Sequence, residues 1–295
     1  PTYRRPFFEQ LAQVIGREYV VFHGAAEPNS GVVAAEPPFR FPNIRVKCRF
    51  FRVFGRSVVY QPIVARILFG NFAAVVVGHE IKYVAYLFLL AWFRLLGRPV
   101  IFWGQGRTKD PARRRSAVGR VLTEGVRVFK SLLLRASSGY MAYSELGARY
   151  VADAGMARDR ITVLWNTIDM SAEIAAYERA RQIPRTEIRR LEGIAEDAVV
   201  LTFLGRLYAP KRVDLLLTIV DEMRRDGLNV EAMVIGSGPE EAPLRAAFGS
   251  HPWCHFLGPV YDADRMGKAL RASDAIVIPD YIGLAVNQAF AHGLP

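Results

Sequence analysis

The chain has 295 residues, 51% of them hydrophobic, and its 39 Lys and Arg against 28 Asp and Glu give a formal net charge of +11. That length exceeds what one hydrophobic core usually serves, and the apolar content is ample for two domains. Cys48 and Cys254 are the only cysteines, which excludes a disulfide framework and makes a reducing compartment the expectation.

In chain order, hydrophobic periodicity predicts a helix over 7–15, a strand over 19–22 and a strand over 73–77 that runs into Gly78-His79-Glu80. His79 and Glu80 stand past a strand end and are cleft candidates, with helix capping as the rival role. The apolar run from Tyr83 to Phe93 lies between Lys82 and Arg94 and falls short of the roughly 20 residues a membrane span needs. Its aromatics suit an interfacial helix, but a helix buried beside the sheet is the expectation. A strand over 100–103 leads into Gly104-Gln105-Gly106, making Gln105 a further cleft candidate.

Between Arg107 and Arg135 stand nine basic residues against Asp110 and Glu124. A helix over 116–134, with Val118, Val121, Leu122, Val126, Val128, Phe129, Leu132 and Leu133 at roughly helical spacing, makes this segment basic and amphipathic. It suits the surface of an anionic membrane, a solvated helix face being the alternative. The charge is accompanied by no helix-turn-helix, zinc-finger spacing or aromatic ribonucleoprotein motif, so nucleic acid is not an expected partner.

Strands over 139–142 and 161–164 flank a helix over 145–153, and such alternation predicts a parallel sheet covered on both faces. The segment 171–196, charged, mostly helical in propensity and interrupted by Pro184, reads as an interdomain connection that ends as the entry to the second domain. Strands over 199–204, 231–235, 254–257 and 275–278 then resume the alternation. Asp262-Ala263-Asp264 precedes a helical run and reads as capping rather than a metal pair. His251, Cys254 and His255 are too few for zinc and are broken by Pro252. Gly236-Ser237-Gly238 lacks the third glycine of a dinucleotide fingerprint, and neither a phosphate-loop motif nor a Gly-x-Ser-x-Gly elbow occurs.

Three motifs carry chemistry. Gly205-Arg206 and Lys211 follow the strand over 199–204, offering a rigid fork and a movable point charge for phosphate oxygens. Gly236-Ser237-Gly238 lets the backbone approach a base or ribose. After Asp280, the turn at Gly283-Leu284 directs main-chain amides toward an anion, and Gln288 lies in the helix beyond.

From Leu201 to Pro295 these motifs resemble the carboxyl-terminal domain of family-4 (group 1) glycosyltransferases of the GT-B fold. The resemblance implies an α/β protein with two Rossmann-like parallel-sheet domains facing across a cleft. It assigns 1–170 to an acceptor-side domain, 171–196 to the connection and 197–295 to a nucleotide-sugar-binding domain, with a first strand missing before Pro1 and further elements after Pro295. It implies retaining, metal-independent transfer from a nucleotide-diphosphate sugar, with no cofactor, to a saccharide or polyprenyl-linked acceptor in envelope or exopolysaccharide assembly. The expected place is the cytoplasm, at the inner face of the plasma membrane.

By the same resemblance Arg206 and Lys211 contact the diphosphate, helped by Gly205, Gly236, Ser237, Gly238, Gly283 and Leu284. Asp280 and Gln288 stand where the family carries two glutamates, the first near the donor sugar and the second on the ribose. Relatives commonly have a His near Gln105, a third departure. Pro1 to Phe8, with Tyr3 and Arg4, is similar to the loop where acceptors approach, and Ile161 to Asp169 resembles the segment before the crossing into the second domain. The departures leave two alternatives open: a catalytically degenerate nucleotide- or glycan-binding protein, and a sugar-nucleotide epimerase of the same architecture.

Overall fold

A computed structural model describes residues 4–16, 18–27, 35–53, 56–106, 117–166, 168–280 and 282–295, with the main chain alone at 56 and 117–123. The chain forms two compact units, Pro1–Asn166 and Thr167–Pro295.

The first unit runs α1 (Arg5–Ile15), β1 (Val21–Gly24), β2 (Asn43–Val46), β3 (Arg49–Val53), β4 (Arg56–Tyr60), α2 (Val64–Phe69), β5 (Val75–Gly78), α3 (Val84–Leu95), β6 (Val100–Gly104), α4 (Ala117–Ala136), β7 (Gly139–Ala142), α5 (Glu145–Asp153) and β8 (Ile161–Val163). Strands β5, β6, β7 and β8 lie side by side in that order, all parallel. Right-handed crossovers in one direction put the connecting helices on one face. Leu89, Phe93, Phe102, Leu134 and Tyr140 are buried in a single core there. The Ser144 hydroxyl starts α5 by accepting from the Gly147 amide at 3.1 Å.

β1 and β2 form a separate parallel pair whose Phe22 and Ile44 pack on the same core. β3 and β4 form an antiparallel hairpin that pairs Phe50 with Val59 and Arg52 with Ser57. Strands β2, β3 and β4 are not among those expected from the sequence. Phe50, Phe51 and Val53 favour a strand, but Arg49–Val53 lacks the apolar and polar alternation that marks a half-buried one.

The second unit runs α6 (Ser171–Arg181), α7 (Arg185–Glu192), β9 (Val199–Leu204), α8 (Val213–Arg225), β10 (Val230–Ile235), α9 (Glu241–Phe248), β11 (Cys254–Gly258), α10 (Ala263–Ala272), β12 (Ala275–Ile276) and α11 (Ala285–Ala291). The segment expected to connect the domains forms α6 and α7 and belongs to this unit. Its parallel sheet has the order β11-β10-β9-β12. All six residues of β10 are buried, as a central strand covered on both faces requires. Ala232 and Val234 face a core with α8 and α9, while Met233 and Ile235 face one with α7 and α10. The Asp262 side chain accepts from the Arg265 amide at 2.8 Å, so this acidic run starts α10.

Beneath this sheet an ion pair is buried. Arg189 is 3% exposed and donates to the carbonyls of Ala272, Glu196 and Ala198 and to Asp274 Oδ2 at 2.8 Å. Asp274 also takes Arg185 at 2.6 Å and the Val200 amide at 2.8 Å. Burial alone would raise the Asp274 pKa; the Val200 amide and the two guanidinium groups outweigh it and hold the carboxyl below its ordinary value. Replacing Asp274 by Ala leaves a buried guanidinium uncompensated, so urea unfolding at neutral pH should register a loss of about 3 kcal/mol. Because the folded pKa is depressed, this stabilisation is complete at neutral pH and is lost only as pH falls below about 4. The Asp274→Ala variant should therefore differ least from wild type in acid.

Candidate functional site

In the second unit the chain steps from β9 to β10 to β11, then α10 returns it to β12 on the other side of β9. The strand order therefore reverses between β9 and β12, and the carboxyl ends of strands at such a point receive ligands in open α/β sheets. Gly205 to Lys211 follow β9, and Val277 to Leu284 follow β12.

The loops after β9 and β10 touch through their backbones. The Gly205 amide donates to the Ile235 carbonyl at 3.0 Å, and the Leu207 amide to the Ser237 carbonyl at 2.9 Å. A Cβ on Gly236 would stand 1.8 Å from the Gly205 carbonyl oxygen, and one on Gly238 would stand 2.1 Å from that of Leu207. Gly205 and Gly236 also have φ of 146° and 139°, where side chains are strained. Ser237 and Gly238 are half-buried beside Leu207.

Lys211 ends a short 3-10 turn, Ala209–Lys211, and is 6% exposed. Its Nζ lies 3.5 Å from where a Cβ on Gly283 would be, which joins the loop after β9 to the turn before α11. Arg206 is half-buried, with its guanidinium 5.6 Å from the Tyr208 ring centroid. Asp280 is exposed, and Leu284 and Gln288 are half-buried. Arg212, given no role from the sequence, holds a left-handed conformation at φ 52° and pairs with Asp214 at 3.2 Å. The Asp214 hydrogen bonds, the Asp214 charge and then the charge of Asp280 raise its pKa. Thus Arg206, Lys211, Gly283 and the three glycines of the β9 and β10 turns share one edge of the sheet, with Arg212 and Asp280 in each other's field.

In the first unit His79, Glu80 and Gln105 follow β5 and β6. His79 packs against Phe102 and Tyr140, with ring centroids 5.0 and 5.5 Å away, and its Nε2 is buried without a hydrogen bond among the described residues. Burial first, and then the Lys130 charge, lower its pKa to about 4. Glu80 is exposed and pairs with Lys82 at 3.0 Å. Gln105 is exposed at the end of β6. Arg4 stacks over Trp103 at 4.2 Å and donates to the Tyr143 hydroxyl, a cluster in which Trp103 and Tyr143 were not foreseen. Aromatic residues at strand ends are the signal that could have flagged them. Tyr3 lies outside the described residues.

Among the described residues no three His, Cys, Asp or Glu side chains are grouped to hold a metal. His255 bonds Glu231 at 2.6 Å, and His251 stacks on Trp253.

Gly236→Ala should cost about 3 kcal/mol or more in unfolding free energy, since the new carbon meets a carbonyl oxygen. Gly258→Ala should cost only about 1 kcal/mol, because that site has φ 71° but open space around it. His79 remains neutral in the folded chain while the unfolded chain takes up a proton near pH 6.5, so stability should fall as pH drops from 6.5 toward 4. His79→Phe should flatten that pH dependence in a series of thermal unfolding curves.

The model of the family described as Glycosyl transferases group 1 matches residues 198–295. A D-inositol 3-phosphate glycosyltransferase of Geodermatophilus obscurus is 38% identical over 126 residues, covering 38% of this chain and 28% of the relative. The putative glycosyltransferase EpsF of Bacillus subtilis is 27% identical over 178 residues, 57% of this chain and 44% of the relative. The chain thus spans less than half the length of these curated relatives. Among solved structures, Anabaena Alr3699/HepE in complex with UDP is similar with a TM-score of 0.58 at 16% identity, over 86% of this chain and 66% of that one. WaaG, a glycosyltransferase involved in lipopolysaccharide biosynthesis, has a TM-score of 0.55 at 17% identity over 99% of this chain and 76% of its own. With its strand-order reversal and its glycine turns, the second unit matches the group 1 glycosyltransferases over residues 198–295, and the chain has the GT-B type of fold of its structural neighbours.

Proposed function

We propose that the chain is part of a retaining, metal-independent family-4 enzyme that moves a hexosyl group from a nucleotide-diphosphate sugar to a saccharide or polyprenyl-linked acceptor. The observation that carries this reading is the reversal of strand order at β9 and β12, which gathers Arg206, Lys211 and Gly283 at one sheet edge. Arg206 and Lys211 bind the diphosphate, with the main chain of Gly283 and Leu284 beside it. The turns at Gly205 and at Gly236, Ser237 and Gly238 leave room for ribose and base.

As the bond from the anomeric carbon to the phosphate oxygen lengthens, its electron pair passes to the phosphate. The two cations stabilise that charge more than they stabilise the ground state. The acceptor hydroxyl forms the new bond on the same face and gives its proton to a phosphate oxygen, so no protein base is required. Asp280 orients the sugar and Gln288 the ribose. Arg4, His79, Glu80 and Gln105 stand on the acceptor side, with His79 acting through packing rather than as a charged group.

Envelope or exopolysaccharide assembly at the cytoplasmic face of the membrane fits this chemistry, and the basic segment 107–135 supplies the attraction to anionic lipid. Of that segment, 107–116 lie outside the described residues. Among the described residues no helix is long and apolar enough to cross a membrane.

Anabaena HepE was solved with UDP and with UDP-glucose, which makes uridine diphosphate the first ligand to try. One nucleoside diphosphate among UDP, GDP, ADP and dTDP should raise the melting temperature of the full-length protein, and Arg206→Ala should abolish the rise. Arg206→Ala and Lys211→Ala should each lower transfer about 100-fold or more. Unchanged transfer rates would overturn the assignment. No stabilisation by any diphosphate, together with no turnover after Asp280→Glu and Gln288→Glu, would favour a binding protein without catalysis.

A further inference from the structure

Apart from Arg94 in its last turn, helix α3 is apolar around its circumference. Ala85, Leu89, Leu90 and Phe93 are buried beneath it, while Phe88, Trp92 and Leu95 are 62%, 41% and 80% exposed. The exposed three are spaced i, i+4 and i+7, so they form one outward stripe. Helix α4 lies alongside: the Arg94 guanidinium donates to the Ala136 carbonyl at 3.2 Å, and Tyr86, Leu87 and Leu133 line one small cavity between the helices. α4 carries its own exposed apolar stripe, Val128, Phe129 and Leu132, at i, i+1 and i+4.

The charge around the two stripes is mainly basic, and Glu80, the acid that lines the cavity beside α3, is paired with Lys82 at 3.0 Å. Arg94, Arg127 and Arg135 stand exposed on these helices, and Glu124, the acid on the described face of α4, is already paired with Arg127. A second copy docked through this face by a two-fold axis would oppose the arginines to themselves. A surface that is apolar inside and anionic at its rim matches both features at once.

We infer that α3 is a lipid-inserting helix, its Phe88, Trp92 and Leu95 entering the acyl boundary of an anionic bilayer while the arginines of α3 and α4 meet the headgroups. This deepens the peripheral membrane contact proposed above and rests on it, changing attraction by charge along 107–135 into insertion by a neighbouring helix. An interfacial helix buries its apolar face about 5–10 Å below the headgroups. Because the stripe is exposed, its loss does not disturb the core packed under Leu89 and Phe93.

The test is vesicle partitioning of the full-length protein, using phosphatidylcholine vesicles with and without 30% phosphatidylglycerol, at about 0.1 M and 0.5 M NaCl. Wild type should bind the anionic vesicles in both salts, because insertion is not screened. The triple variant Phe88→Ser, Trp92→Ser, Leu95→Ser should bind at least about 100-fold more weakly at high salt. A dye on Leu95→Cys should shift to the blue and be quenched by brominated lipid. If high salt releases wild type completely and the triple variant binds equally at low salt, insertion is refuted while the charge contact stands. If wild type binds neither vesicle at low salt, the membrane contact itself fails and this inference with it. Concentration-dependent dimers or capture of an acidic helix, lost in the triple variant and without vesicle binding, would assign the stripe to a protein partner and overturn the inference.

Discussion

The carbonyl oxygen of Gly205 occupies the space that a Cβ on Gly236 would need, 1.8 Å from its ideal position. Everything at the sheet edge follows from that close approach. It lets β9 and β10 continue their pairing beyond their ends, through Gly205 to Ile235 and Leu207 to Ser237. Arg206 is held between two such bonds, and the chain then reaches the turn that buries Lys211 against Gly283. A side chain at 236 would push the two strand ends apart and move both cations with them.

The opposite end of the same sheet is held by charge. Strand β12 has two residues, too few for its ladder to define its place, yet it lies beside β9 because Asp274 binds the Val200 amide and gives its own amide to the Val200 carbonyl at 2.9 Å. Arg185 and Arg189 neutralise that carboxylate, and Thr202 bonds Ser273 at 2.6 Å. A buried ion pair adds little net stability over an apolar core, but it specifies one arrangement where a two-residue strand could slip. Position of β12 decides where Asp280 and Gly283 stand, so the pair under the sheet and the glycines above it act on one site.

The first unit resolves its chemistry differently. Its strand ends carry aromatic rings, with Arg4 laid over Trp103, and His79 is drawn under Phe102 and Tyr140 rather than left to solvent. Desolvation keeps His79 neutral, so its part is in packing. On the outer face of the same unit, α3 has more apolar surface than one sheet can cover. Burying one stripe of a helix leaves the opposite stripe exposed, which is a geometric consequence of 3.6 residues per turn.

Period and punctuation alone identified most parallel strands, the helices between them, and the motifs at Arg206, Lys211, Gly236 and Gly283, because buried strands and their terminal glycines are local signals. The hairpin of β3 and β4 escaped, since its pairing is between residues that share no local period. The segment 171–196 read as a connection because its helices are highly charged; packing against α10 is what makes α6 and α7 part of the second unit. Composition marked α3 as both a core helix and an interfacial one, and the fold gave it a face of each kind. His79 and Arg212 could not be read in advance: a pKa depends on what buries the ring, and a left-handed arginine on what its neighbours require. The sequence by itself determined which residues offer cations and unobstructed backbone amides, because donors and glycines are properties of residue type. Only the tertiary structure decided that they meet, because the reversal of strand order joins segments about 70 residues apart by burial and backbone pairing rather than by local propensity.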